Sequence, residues 1–284
     1  MKKSASIGLI LAFLAVSVPA WAQFHEVGIW GGVANYYGDL NTKFGVRYVR
    51  PAGGAFYRYN ISSRFAAKGA VSYGEVEGHD ASSSSERQRL RNLSFRSSVA
   101  DITATFEFNF FKFDKNKPKK YWFSPYLATG VGIFFFNPKA EYQGKWYYLQ
   151  PLGTEGQNDP SYSGVKKYNL YSFHIPIEGG FKFHVYQNWN INIFASVHKT
   201  FTDYLDDVSG NYPATVTLPN GSHGIAAALS DRSGEVNGGE KVGRPGYQRG
   251  ETKKYDDFVF VGVAISYTFM SMQCPTPSNG WTFR

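Results

Sequence analysis

Eight segments of this chain alternate apolar and polar residues over roughly ten residues each, and the connections between them alternate short and long. The pattern is plainest from Ser98 to Phe110. Ala100, Ile102, Ala104, Phe106, Phe108 and Phe110 share one face, and Asp101, Thr103, Thr105, Glu107 and Asn109 share the other. Strand side chains alternate with period two, so one face meets an apolar medium and the other a polar one. A soluble sandwich strand has the same pattern. Eight such strands, rich in Tyr, Phe and Trp and preceded by a secretion-type leader, point instead to a barrel in an outer membrane.

The predicted strands lie over 25–34, 54–61, 64–74, 98–111, 122–136, 171–186, 189–200 and 257–269. The turns at Ser62-Ser63, Lys112 to Lys120 and Gln187-Asn188 are short, whereas the connections 35–53, 75–97, 137–170 and 201–256 are long. In outer-membrane barrels short turns face the periplasm and long loops face outward, so an even strand number places both termini in the periplasm. Phe173, Ile175, Ile177, Phe181, Phe183 and Val185 are expected to face lipid, as are Val259, Val261, Val263, Ile265, Tyr267 and Phe269. Tyr57, Tyr59, Tyr121, Trp122 and Trp189 crowd the strand ends, where amphipathic rings sit at a membrane interface.

The first residues read as a signal peptide: a basic Met1-Lys2-Lys3 start, an apolar stretch from Ile7 to Val18 and an Ala20-Trp21-Ala22 cleavage site. The expected organisation is a signal peptide over 1–22, an all-β, eight-stranded antiparallel transmembrane β-barrel over 23–269 with long extracellular loops and short periplasmic turns, and a periplasmic tail over 270–284. Mean hydropathy is negative, which a barrel tolerates because only one strand face is oily and its loops are polar. The net charge of +8 suits anionic lipid or acidic protein better than nucleic acid in a secreted chain. Cys274 is the single cysteine, so an internal disulfide is impossible and the thiol is either free or paired with another chain.

A barrel of eight strands is about wide enough for its own side chains, so its polar face needs internal partners. Arg58, Lys68 and Lys182 against Asp101, Glu107 and Glu178 are read as a neutralising lumen network. Ser196 and His198 share a strand face and are weighed as a nucleophile and base, with Asp203, Asp206 or Asp207 as the third group. Their inward direction, away from acyl chains, favours polar lumen filling. His79-Asp80, before the Ser82–Ser85 run, is a second candidate cluster, better read as a loop tip. The chain has no G-x-S-x-G elbow, H-E-x-x-H or phosphate-binding glycine loop. Asp203, Asp206 and Asp207 lack EF-hand spacing and are read as turn caps. No catalytic residue, cofactor or metal is therefore expected. Lys115, Lys117, Lys119 and Lys120 lie in a predicted periplasmic turn; pairing with phosphates or an acidic partner and simple solvation both remain open. The Gly-rich basic stretch 238–254 is expected to be exposed.

Asn35-Tyr36-Tyr37-Gly38-Asp39-Leu40-Asn41, Phe123 to Gly132, Phe136 to Ala140, Pro151 to Gln157 and Lys199 to Val208 together resemble the PorG family of outer-membrane proteins from Bacteroidota. The resemblance implies a non-enzymatic component of the type IX protein secretion machinery. Such a barrel would tie a periplasmic ring of PorK-like lipoprotein and PorN-like protein to the outer membrane. On that expectation the tail residues Cys274, Trp281 and Phe283 and the basic turn at 115–120 face the ring, and Cys274 is a candidate for an intermolecular disulfide. The competing expectation is a small barrel enzyme that modifies lipid A.

Overall fold

The computed structural model of the protein describes residues 24–42, 48–114, 119–157, 166–213, 224–250 and 255–270. Alternation resolves into long strands: β1 (Phe24–Tyr37), β2 (Arg50–Asn60), β3 (Phe65–His79), β4 (Ser94–Asn109), β5 (Phe123–Tyr142), β6 (Lys145–Tyr148), β7 (Tyr171–Tyr186), β8 (Trp189–Thr200) and β9 (Asp257–Met270). All of them except β6 form a closed antiparallel ring of eight strands. β9 pairs with β1 across the seam, from Phe24↔Met270 to Tyr37↔Asp257. β6 pairs only with the end of β5, over Lys139–Tyr142, and lies in the connection expected to be a loop. Closure leaves no unpaired strand edge, which is what a hydrocarbon surround demands.

The faces sort as the alternation requires. Ile29, Val71, Ile102, Val131, Phe173, Ile177, Phe181, Val185, Val263 and Ile265 are exposed on the outer wall, while Asp101, Glu107, Glu178 and Lys182 are buried within. So continuous an apolar belt is far larger than a soluble monomer displays. Tyr57, Trp122, Tyr186, Trp189 and Tyr267 ring its short-turn rim. No described helix is long and apolar enough to cross a membrane; the crossing elements are strands.

At the long-loop end the structure departs from the sequence reading. β1 to β5 each run several residues past their predicted bounds in that direction, β5 to Tyr142 rather than 136 and β3 to His79 rather than 74. The alternation persists there with inverted chemistry. In β4, Phe95 and Val99 are buried inward while Arg96 and Ser98 face out; in β5, Phe134, Phe136 and Ala140 point in while Asn137, Lys139 and Glu141 point out. This section is a water-facing wall around an apolar core, rising above the oily belt. Reading only for outward grease ends each strand where the medium changes, not where the hydrogen bonds end.

That core is an aromatic plug. Trp30 meets Phe194 edge-on at 5.3 Å, Phe134 meets Phe258 at 5.1 Å, and Tyr36 packs edge-on against Phe95 at 4.8 Å. Leu205 and Val208 from the long connection after β8 and Leu229 from the helix Gly224–Ser230 close it from above. Each such side chain contributes about 1.5–3 kcal/mol by leaving water. The expected signal peptide, the tail with Cys274, Trp281 and Phe283, and Lys115 and Lys117 all lie outside the described residues.

Candidate functional site

The lumen is layered. Nearest the short turns lies an ion network. Arg58 donates from Nη1 to Glu26 Oε1 at 2.7 Å and from Nε to Glu107 Oε2 at 3.1 Å. Lys182 pairs with the other oxygen of Glu107. Lys68 donates to Glu178 at 2.5 Å, and the Tyr126 hydroxyl donates to the same oxygen at 2.7 Å. Arg58, Glu26, Glu107 and Lys182 are almost wholly sealed from solvent. Three cations (Arg58, Lys68, Lys182) therefore face three carboxylates (Glu26, Glu107, Glu178), and the layer is neutral. Glu26 escaped the sequence reading because it sits two residues into β1, beside the expected cleavage site. Its signal was parity: Glu26, Gly28 and Trp30 alternate with outward Val27 and Ile29.

Asp101 does not join this network, which corrects its grouping with Glu107 and Glu178. It lies one layer higher, against two histidines. His174 Nε2 is 2.7 Å from Asp101 Oδ1, and His198 Nδ1 is 3.2 Å from His174 Nδ1 and 3.8 Å from Asp101 Oδ2. All three side chains are buried. β4, β7 and β8 each supply one inward position, and a gap in β5 makes room for them. Gly132 stands opposite His174 in the register, and a Cβ there would lie 2.2 Å from His174 Nε2. His198 stacks on Phe258 at 4.4 Å. Its Nε2 is buried with no hydrogen-bond partner, as are both amide atoms of Asn192. Asp101, Asn192, Ser196 and His198 line one internal cavity of about 30 Å³, room for a water or two.

Above the plug the long connections fold onto one another as a polar cap. Arg249 donates from Nη1 to Glu155 at 2.9 Å and to the Asp207 carbonyl at 2.6 Å, and from Nε to the Ser230 carbonyl at 3.0 Å. Glu155 also accepts the backbone amides of Ser209 and Gly210. Arg91, on the helix Glu86–Arg91, makes a two-pronged pair with Asp80 at 2.7 and 2.8 Å. The Tyr36 hydroxyl lies 2.6 Å from Asp206 and 2.9 Å from Asp256. A hydroxyl carries one proton, so one carboxyl must itself be protonated and donate back to the phenol oxygen. Burial, and then repulsion from neighbouring acids, pushes Asp206 and Asp256 well above the usual carboxylate range. Asp207 is pushed up to about 6 by burial, against the opposing pull of Arg249. Gly38 is required where the chain passes under this cluster, since a Cβ would lie 2.0 Å from Asp256 Oδ1.

The remaining sequence candidates take structural places. Asp80 is the buried anchor of Arg91, and His79 packs against Tyr48 at 4.8 Å. Asp206 and Asp207 are tied into the cap by Tyr36, Thr154 and Arg249. Residues 238–248 are largely exposed as expected, but Arg249, at the edge of that stretch, is buried at the centre of the cap. Lys119 and Lys120 are exposed, with Lys120 over the Tyr121 ring at 5.5 Å.

A closed ring of eight strands, oily outside, filled with paired charge inside and folded shut at one end, has the architecture of an outer-membrane barrel that is plugged rather than porous. The chain belongs to the family described as a domain of unknown function, DUF6089, whose model matches residues 5–222. No curated protein matches it. Among solved structures it is similar to Ail, the attachment invasion locus protein of Yersinia pestis, at 9% identity, over 88% of this chain and 100% of that one, with a TM-score of 0.42. It is likewise similar to Neisserial surface protein A (10% identity, 87% and 97% covered, TM-score 0.39). A third likeness is to OprG from Pseudomonas aeruginosa (10% identity, 88% and 97% covered, TM-score 0.38).

Proposed function

We propose that this protein resides in the outer membrane as a non-enzymatic structural subunit of the type IX protein secretion machinery, with both termini in the periplasm. It ties a periplasmic ring of PorK-like lipoprotein and PorN-like protein to the membrane. The observation that carries this reading is the assembly of the PorG-like segments into one body. Asn35 to Asn41, Pro151 to Gln157 and Lys199 to Val208 are far apart in sequence and interlock in the cap through Tyr36–Asp206 and Thr154–Asp207 contacts. Segments interlocked in this way suit a rigid membrane fixture. The filled lumen supports the same reading, because it leaves the surfaces rather than the interior as the working parts. Ser196 and His198 border a cavity of about 30 Å³, too small for an acyl chain or a sugar, which counts against the lipid A enzyme.

Affinity capture of the tagged, full-length protein from detergent-solubilised outer membrane tests the assignment. Recovery of the two ring proteins is expected, with loss of recovery on deleting 271–284. Capture of neither ring protein, with the barrel folded and abundant, refutes it. Non-reducing electrophoresis of the same membranes reports on Cys274: a heavier band that collapses with reductant is expected, and a fully alkylatable monomer removes the covalent link.

A further inference from the structure

We infer that Asp101, His174 and His198 form a binding site for a divalent transition metal ion of the zinc class inside the barrel. The argument begins with charge. The lower network is balanced, three cations against three carboxylates, so none of its cations is spare for Asp101. Asp101 is sealed in the lumen one layer above with two imidazoles and, among the described residues, no Lys or Arg in contact. A buried carboxylate without a compensating cation is costly, and a bound dication supplies one.

Geometry agrees. Each of the three residues can present a ligand atom, and the three atoms lie within 4.8 Å of one another. The His174 and His198 Nδ1 atoms are 3.2 Å apart and His198 Nδ1 is 3.8 Å from Asp101 Oδ2. Zinc–ligand bonds of roughly 2.0–2.2 Å at tetrahedral angles separate ligand atoms by about 3.3–3.6 Å, so small ring and carboxylate rotations close the set. Two imidazoles and one carboxylate are the donor types that borderline dications prefer. Three protein ligands leave a fourth position open.

The cavity provides for that position. It adjoins Asp101 and His198. The adjoining cavity and the converging donor set point to one occupant. Gly132 keeps the space for His174, and stacking on Phe258 fixes His198, so the ligands are held by packing before any ion arrives. The plug above and the ion network below enclose the site, so loading would accompany folding of the barrel.

The test uses the full mature chain folded into detergent micelles with one equivalent of Zn²⁺ or Co²⁺, then passed over a chelating resin. Wild-type protein should retain about one ion per barrel by elemental analysis, and the cobalt form should show the intense visible absorption of a low-coordinate N/O site. His198→Gln and Asp101→Asn should lose retention and that absorption, with affinity falling by at least the ~100-fold that loss of an outer-shell partner alone can cost. His25→Gln, at a half-buried histidine near the strand end, should change neither. Heat-modifiable gel mobility verifies that each variant has folded. Wild-type barrels that retain no ion overturn the inference, whatever the variants do. Retention that survives both ligand variants and falls with His25→Gln overturns it equally, by assigning the ion to the surface.

Discussion

Glu107 is the shared carboxylate of the lumen network, and its neutralisation is the most demanding test of the plugged interior. One oxygen accepts Arg58 Nε and the other accepts Lys182. Glu107→Gln keeps the volume and removes one charge, changing a balance of three against three into a net buried positive charge. Arg58 keeps Glu26 at 2.7 Å. Lys182 loses its carboxylate and keeps the Tyr126 and Phe113 faces at 4.8 and 6.0 Å, which substitute poorly for an ion pair. Breaking one partner out of a buried pair costs about 3–5 kcal/mol, and at these exposures no solvent screening reduces it. Removing both partners should cost much less, because Glu107→Gln with Lys182→Met restores neutrality with similar shapes. Reversible urea unfolding in lipid vesicles, followed by tryptophan fluorescence, gives the four free energies of the cycle. A coupling of about 2–4 kcal/mol between the two sites is expected. Additive effects, or a single variant within ~0.5 kcal/mol of wild type, the range of ordinary surface substitutions, would mean that water reaches the lumen and the network is not what fills it.

The cap should tighten in mild acid. A carboxyl whose folded pKa exceeds its unfolded value stabilises the folded state fully below the unfolded value and loses that contribution as pH rises through the folded one. For Asp207, raised from 3.8 to about 6, this amounts to about 3 kcal/mol lost between roughly pH 4 and 6, and Asp206 and Asp256 extend the loss upward. Amide hydrogen exchange in 202–213 should be better protected at pH 5 than at pH 8 after correction for intrinsic rates; the reverse order refutes the sign. Arg249→Met strands Glu155 and should cost the cap about 3–5 kcal/mol, read as rapid proteolysis in the loops with strand resistance retained. Unchanged loop cleavage would exclude Arg249 as the centre of the cap. In planar bilayers the purified protein should show no stable conductance, since aromatic rings and paired charge occupy the lumen; large, reproducible channels would overturn that account.

Much of the barrel was legible in the sequence because strand alternation is local. Which face Ile102 or Asp101 takes depends only on parity, and parity survives any choice of partner strand. Strand number, the order of short and long connections and the lipid-facing residues of β7 and β9 follow from that, except Val259, which was expected to face lipid and is buried. The same locality explains the misjudged strand ends. Phe95 and Ala140 continue the period, but the medium outside has changed from lipid to water, and the inverted pattern read as loop.

The sequence alone determined that this chain makes long two-faced strands with charge of both signs on the polar side. Only the tertiary structure decided who meets whom. Lys68 finds Glu178 across 110 positions, Asp101 finds His174 across 73, and Tyr36 finds Asp256 across 220. These meetings depend on the register of every pair around the ring and on how closure brings non-adjacent strands face to face across the lumen. The separation of Asp101 from the other acids, the convergence of two histidines beside it and the burial of Arg249 therefore leave no mark in local periodicity. They are properties of the closed ring and its folded loops.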